Sequence, residues 1–246
     1  MRAEQFRPLD LTAATTLLCD ADGTLFPSEE PAYAASADVT NRFLAALGAE
    51  RAFAPEELQR MTNGKNFRAA AAQLAIGYSR ELTRADLDGW VTEEKDVVTA
   101  HLRTVLRPDA SVREPLERLF GRFALAAVTS SASSRLAACL EVTGLAPLFE
   151  ADRRFSAEDS LAEPTSKPNP AVYLHAGATL GVSPAEAVAV EDSVNGALSA
   201  VAAGYPTIGI LQFVPEPDRQ ERTAALREAG VAAVVESWAD AERLLC

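Results

Sequence analysis

Cysteine, lysine and histidine are all scarce in this 246-residue chain. Cys19, Cys139 and Cys246 are odd in number, scattered and without a CxxC pair, which argues against a disulfide framework and against a cysteine-held zinc ion. Lysine occurs only at positions 65, 95 and 167 and histidine only at 101 and 175. With 23 basic residues against 35 acidic ones the formal charge is −12, so the chain lacks the basic footprint that a nucleic-acid backbone demands. No apolar run approaches the roughly 18 to 20 residues that span a bilayer. The first eight residues lack the apolar stretch of a secretion signal. The expectation is a cytoplasmic protein with neither membrane nor nucleic acid as partner. A small anionic ligand stays open, because it responds to the local field of a pocket rather than to total charge.

Composition is otherwise that of a globular protein, 48% hydrophobic and 24% charged, and the length suits one large domain or two unequal ones. Short apolar runs at residues 15–19, 124–128, 187–190, 207–211 and 232–235 alternate with longer amphipathic segments, the pattern of an α/β fold around a parallel sheet. From about residue 28 to 108 no strand is evident. There Leu87, Trp90, Val91, Glu94, Val97, Val98, His101, Leu102 and Val105 keep the three-and-four spacing of one helical face. The expected partition is a Rossmann-like, three-layer α/β core from residues 1–28 and 111–246, with an all-helical domain, residues 29–110, inserted after the first strand.

Four segments carry chemistry. Leu17-Leu18-Cys19-Asp20-Ala21-Asp22-Gly23-Thr24-Leu25 ends a strand with two carboxylates one residue apart, and its Asp-Gly step turns the chain. Strand ends of this kind are where open α/β sheets bind ligands. Residues 124–128 run into Thr129-Ser130-Ser131, a hydroxyl-rich turn before a helix, suited to hold a phosphate on hydroxyls and free N–H groups. Lys167 follows in Lys167-Pro168-Asn169-Pro170, and Glu191-Asp192-Ser193 ends a third strand.

In this order the four segments resemble the motifs of the haloacid dehalogenase superfamily of phosphotransferases. Lys167-Pro168-Asn169-Pro170, Glu191-Asp192-Ser193 and the following Asn195-Gly196-Ala197 are similar to the subfamily of β-phosphoglucomutase and sugar-phosphate phosphatases, whose α-helical cap matches the helical insert. The resemblance implies a Mg2+-dependent phosphatase acting on a small phosphorylated metabolite through an aspartyl-phosphate intermediate. A phosphomutase is the nearest alternative, and a phosphate-binding regulator without catalysis the more distant one; the protein is expected to be a monomer or weak homo-oligomer.

The chemistry also follows from residue types. A carboxylate attacking a phosphate monoester needs the ester's charge neutralised, which a hard divalent cation with oxygen ligands does. Asp20 is the expected nucleophile, and Asp22 the acid that protonates the leaving alkoxide and later the base for water. Asp20, Asp192, Glu191 and the main-chain carbonyl of Asp22 are the expected cation ligands. Thr129 and Lys167 are expected on phosphoryl oxygens, with Ser130 and Ser131 beside them, Gly23 at the turn and Thr24 orienting the loop. The resemblance disfavours dehalogenation and phosphonate cleavage, neither of which is expected to keep an aspartate at position 22. It also places a cap histidine of β-phosphoglucomutase near Ala32, where this chain has none, which favours hydrolysis. Both histidines read as packed helix residues. Lys65 and Arg68, in the cationic break at residues 62–68, are either substrate contacts or ordinary solvated cations.

Overall fold

A computed structural model describes residues 3–62 and 67–246. Lys65 lies outside the described residues. The chain divides into two compact units, Met1–Pro27 with Arg107–Cys246, and Ser28–Leu106.

The first unit is built on a sheet that has seven strands among the described residues: β1 (Ala3–Gln5), β2 (Thr16–Cys19), β3 (Ala124–Thr129), β4 (Arg154–Ser156), β5 (Ala187–Glu191), β6 (Thr207–Ile210) and β7 (Ala233–Val235). Their spatial order is β1-β7-β6-β5-β2-β3-β4. All neighbours are parallel except β1 on β7. Every residue of β2 and β5 is buried, so both faces of the sheet are covered and the apolar runs need no polar alternation. On one face Leu18, Ala126, Val128 and Ala189 pack against Val172, Tyr173 and Ala176. These last three lie on the helix Ala171–Leu180.

The five strands read from apolar runs are present with ends shifted by at most a residue. Two more are not foreshadowed: β1 and β4, each three residues long at an edge of the sheet. The insert therefore follows the second strand in chain order, because the short antiparallel β1 precedes it.

The order of strands places the site. From β2 the chain steps outward to β3 and β4, then returns to the other side of β2 for β5, β6 and β7. The connections diverge between β2 and β5, and the crevice outside their carboxyl ends is the switch point where α/β sheets bind ligands.

The second unit is helical: α1 (Glu29–Ala46), α2 (Pro55–Thr62), α3 (Phe67–Gly77) and α4 (Arg84–Val105). Thr83 caps α4, its side chain accepting the Asp86 N–H. Phe43 anchors the core of this unit, with Trp90 and Phe67 edge-on at centroid distances of 5.6 and 6.5 Å. On α4 the apolar face is realised at Val98 and Leu102, both fully buried, while Val105 at its end is exposed. The remaining helices of the first unit are α5 (Ala110–Phe120), α6 (Ser133–Val142), α7 (Ala171–Leu180), α8 (Val194–Ala202), α9 (Arg219–Ala229) and α10 (Trp238–Leu245). Among the described residues, no helix is long and apolar enough to cross a membrane.

Candidate active site

Asp20 follows the last residue of β2, its N–H donating to the carbonyl of Val190 on β5 at 2.9 Å. The turn behind it closes with Leu25 N–H on Ala21 O at 2.8 Å and Gly23 N–H on Phe26 O at 3.0 Å. Gly23 has φ +84°, and a Cβ there would fall 2.4 Å from Asp192 Oδ2, so conformation and space both demand glycine. Thr24 is fully buried and donates to Asp192 Oδ1 at 3.0 Å. A buried hydroxyl must find a partner, and that of Thr24 holds Asp192, while Gly23 makes the turn.

Lys167 is 6% exposed and all three of its ammonium protons are engaged. They go to Asp20 Oδ1 at 2.5 Å, Glu191 Oε1 at 2.7 Å and Val128 O at 2.8 Å. Its main-chain N–H donates to Ser130 Oγ at 3.1 Å, so Ser130 ties the lysine to the β3 loop. Asp22 stands apart from this group. Its Oδ2 accepts from Ser131 Oγ at 2.8 Å and from Thr129 Oγ1 at 3.2 Å, while Thr129 Oγ1 accepts the Ser131 N–H at 2.9 Å. The N–H groups of this loop expected to be free are partly used: Ser133 N–H, at the start of α6, donates to Asp159 at 2.6 Å.

Glu191 is fully buried. Its Oε1 accepts from Lys167 and from Tyr173 Oη, the latter at 2.5 Å, whereas Oε2 is buried without a hydrogen-bond partner. Gly196 on α8 makes room for this carboxylate, since a Cβ there would lie 1.8 Å from Oε2. Ser193 caps α8, accepting the Gly196 N–H at 3.0 Å, which explains the hydroxyl after the acidic pair. Arg222 of α9 donates to the main-chain oxygen of Asp192 at 2.8 Å. Its guanidinium lies 3.8 Å from the Asp192 carboxylate.

Asp20, Glu191 and Asp192 offer oxygens within 4.8 Å of one another, all three residues buried. The Asp22 side chain is not among them. The three carboxylates are met by two cations, Lys167 on Asp20 and Glu191 and Arg222 at 3.8 Å from Asp192. Negative charge is still in surplus, and the surplus has an electrostatic signature. Burial, reinforced by Asp20, pushes the Glu191 carboxyl up to about 8. Burial also raises Asp20, with Lys167 opposing. Burial would lower Lys167, but Asp20 and Glu191 outweigh it and hold the ammonium above its ordinary value. Burial, with Glu191 beside it, keeps the Tyr173 phenol well above its usual range, so it stays a donor. Leaving such charge uncompensated costs several kcal/mol per ion. An all-oxygen donor set with an orphaned buried oxygen and excess negative charge fits a hard divalent cation.

Sequence reading brought Asp20, Asp22, Thr129, Ser130, Ser131, Lys167, Glu191 and Asp192 to this crevice. It missed Tyr173, Arg222 and Trp238, whose indole N–H donates to Thr24 O at 2.8 Å. Trp238 and Tyr173 look in sequence like any buried aromatic. Arg68 belongs to the helical unit, where it pairs with Asp88 at 2.7 Å. His101 is half-buried on α4. His175 packs edge-on against Phe155 at 5.9 Å.

Comparison with known proteins agrees with this architecture. A model of the haloacid dehalogenase-like hydrolases matches residues 14–204. Hexitol phosphatase B of Escherichia coli K12 is 49% identical over 57 residues, 23% of this chain and 24% of that protein. The first curated relatives are thus matched over only a quarter to a third of their own length. Protein CbbY of Cereibacter sphaeroides is 34% identical over 196 residues, 78% of this chain and 82% of that protein. Among solved structures, a HAD family hydrolase from Deinococcus radiodurans R1, with bound phosphate and sodium, superposes with a TM-score of 0.64 at 28% identity, covering 95% of this chain and 95% of that one. By the extent of these matches, the chain belongs to the haloacid dehalogenase-like hydrolase family.

Proposed function

We propose that the protein is a Mg2+-dependent phosphatase of a small phosphorylated metabolite, a sugar phosphate or a similar polar ester. The observation that carries this reading is the pairing, at one switch point, of two differently held aspartates: Asp20 bonded to Lys167 in a carboxylate cluster, and Asp22 bonded to the hydroxyls of Thr129 and Ser131. Hexitol phosphatase B and the phosphate in the Deinococcus structure support the substrate class.

In this reading Lys167 fixes Oδ1 of Asp20 and balances its charge, so the carboxylate is presented to phosphorus in one orientation. An Asp20 oxygen attacks phosphorus and the bond to the ester oxygen breaks, leaving an aspartyl-phosphate. Asp22, protonated, gives its proton to the departing alkoxide. The resulting carboxylate takes a proton from the water that attacks phosphorus next, releasing phosphate and regenerating Asp20. Thr129 and Ser131 hold Asp22 in place and can turn their protons toward phosphoryl oxygens once a substrate arrives. Asp20, Glu191, Asp192 and the main-chain oxygen of Asp22 would hold Mg2+, which supplies charge neutralisation at the phosphoryl group. The helical unit, Ser28–Leu106, would act as the cap that selects the leaving group.

Purified protein with Mg2+ is expected to release phosphate from p-nitrophenyl phosphate and from members of a phosphorylated-metabolite panel. A chelator and Asp20→Asn should each reduce this to background. Failure to release phosphate from any panel member would overturn the reading, and isomerised sugar phosphate formed faster than free phosphate would turn it into a mutase.

A further inference from the structure

We propose that Tyr173 is a positioning residue of the cation site: its hydroxyl pins Oε1 of Glu191 and thereby keeps Oε2 as the oxygen left for a divalent cation. The inference rests on the reading of the acidic cluster given above, and goes beyond it to a residue of α7 that touches none of the reacting atoms.

Glu191 is held asymmetrically. Two donors converge on Oε1, Tyr173 Oη at 2.5 Å and Lys167 Nζ at 2.7 Å, and Oε2 is buried with no hydrogen-bond partner. A buried carboxylate oxygen without a donor is costly. Such an arrangement persists only when the surroundings impose it. Gly196 supplies the space that Oε2 occupies, and Tyr173 supplies the second anchor on the opposite oxygen. Tyr173 is itself fully buried, and its ring lies 5.2 Å from the Lys167 ammonium. Remove the hydroxyl alone, and among the described residues the side chain still donating to Glu191 is Lys167, whose protons are shared with Asp20 and Val128. The carboxylate is then free to turn both oxygens toward the ammonium, which competes with a cation for the same atoms. Partners that orient a metal's ligands typically contribute ten- to a hundredfold in affinity.

The substitution Tyr173→Phe isolates the hydroxyl, because it keeps the ring beneath Lys167. Tyr205→Phe is the control, since its ring neighbours Tyr173 at 6.3 Å in the same apolar cluster without a hydrogen bond to the acids. Calorimetric titration of the metal-stripped full chain with Mg2+ alone is expected to give a dissociation constant about tenfold higher for Tyr173→Phe. The same titration should leave Tyr205→Phe at the wild-type value. In turnover assays Tyr173→Phe should need more Mg2+ for half-maximal rate and regain most of kcat at saturation. If wild type binds Mg2+ and Tyr173→Phe matches it, or Tyr205→Phe weakens binding equally, the inference fails alone. If wild type does not bind Mg2+, the inference fails together with the cation site proposed above.

Discussion

Glu191 occupies the space that a side chain at position 196 would need, and this makes Gly196 a sensitive position. In an ordinary helix, glycine to alanine is stabilising by about 0.5–1 kcal/mol. Here the new methyl would fall 1.8 Å from Oε2 and 2.2 Å from Cδ of a carboxylate that two hydrogen bonds hold in place. Overpacking of this kind costs about 1–3 kcal/mol and outweighs the helical gain. Gly196→Ala is therefore expected to lower the thermal midpoint in metal-free buffer and to blunt the further rise on adding Mg2+. A melting curve at least as high as wild type would contradict this. Legibility at this scale depends on how local the signal is. Asp20, Asp22, Glu191 and Asp192 at strand ends, with the scarce Lys167 in a loop between them, are legible by their order along the chain, since each alone is an ordinary turn or surface charge. Tyr173 is not, because nothing in an apolar helix tells which aromatic hydroxyl meets a buried acid eighteen residues away. Thr24 was legible as polar but not in its target, since Asp192 reaches it only through the pairing of β2 with β5.

Helix α10 shows which contacts fasten an element to the site. Ser237 caps it through the Asp240 N–H, and Trp238, Ala241 and Leu245 are its buried face. Trp238 reaches Thr24, which in turn holds Asp192. On the outer side, Arg118 of α5 forms a bidentate pair with Glu242 at 2.7 and 2.9 Å. The pair is geometrically good but half-exposed at the arginine, and exposed pairs contribute about 0.2–1 kcal/mol. Trp238→Phe removes a donor from a buried carbonyl and opens a void, for a loss of about 2 kcal/mol. Denaturant unfolding should thus rank Trp238→Phe well below Arg118→Ala in stability; the reverse ranking would show the ion pair to be the stronger tie. At this scale the central strands were legible because both faces are buried and their apolar runs are continuous. β1 and β4 were not. Each is three residues long, polar at its outer end and ordered by a partner strand, β7 or β3, that is distant in sequence. No local pattern carries that information.

For the molecule as a whole, an acidic chain that is proposed to bind an anionic ester concentrates its compensation at one place. Four of its 35 acidic residues, Asp20, Asp22, Glu191 and Asp192, sit with Lys167 in the crevice at the sheet's switch point. The partition into an α/β core and a helical insert was visible from where strand-like runs stop and resume, because burial on two sheet faces and burial along one helical stripe impose different periods. Substrate choice was not visible, since in the proposed reading it rests on the surface of the helical unit and no residue spacing encodes that shape.

The three engaged protons of Lys167 have one more consequence. Amine-directed reagents attack only a free, solvent-reached nitrogen, and Lys167 is 6% exposed with every proton bonded, whereas Lys95 is half-buried on α4. In a chain with so few lysines, this makes Lys167 an internal clock for opening of the α/β unit. Acetic anhydride labelling followed by mass spectrometry should modify Lys95 early and Lys167 only at the rate at which the unit unfolds, and denaturant should bring the two rates together. Equal rates in the native protein would mean that the ammonium is far more accessible than its three bonds allow.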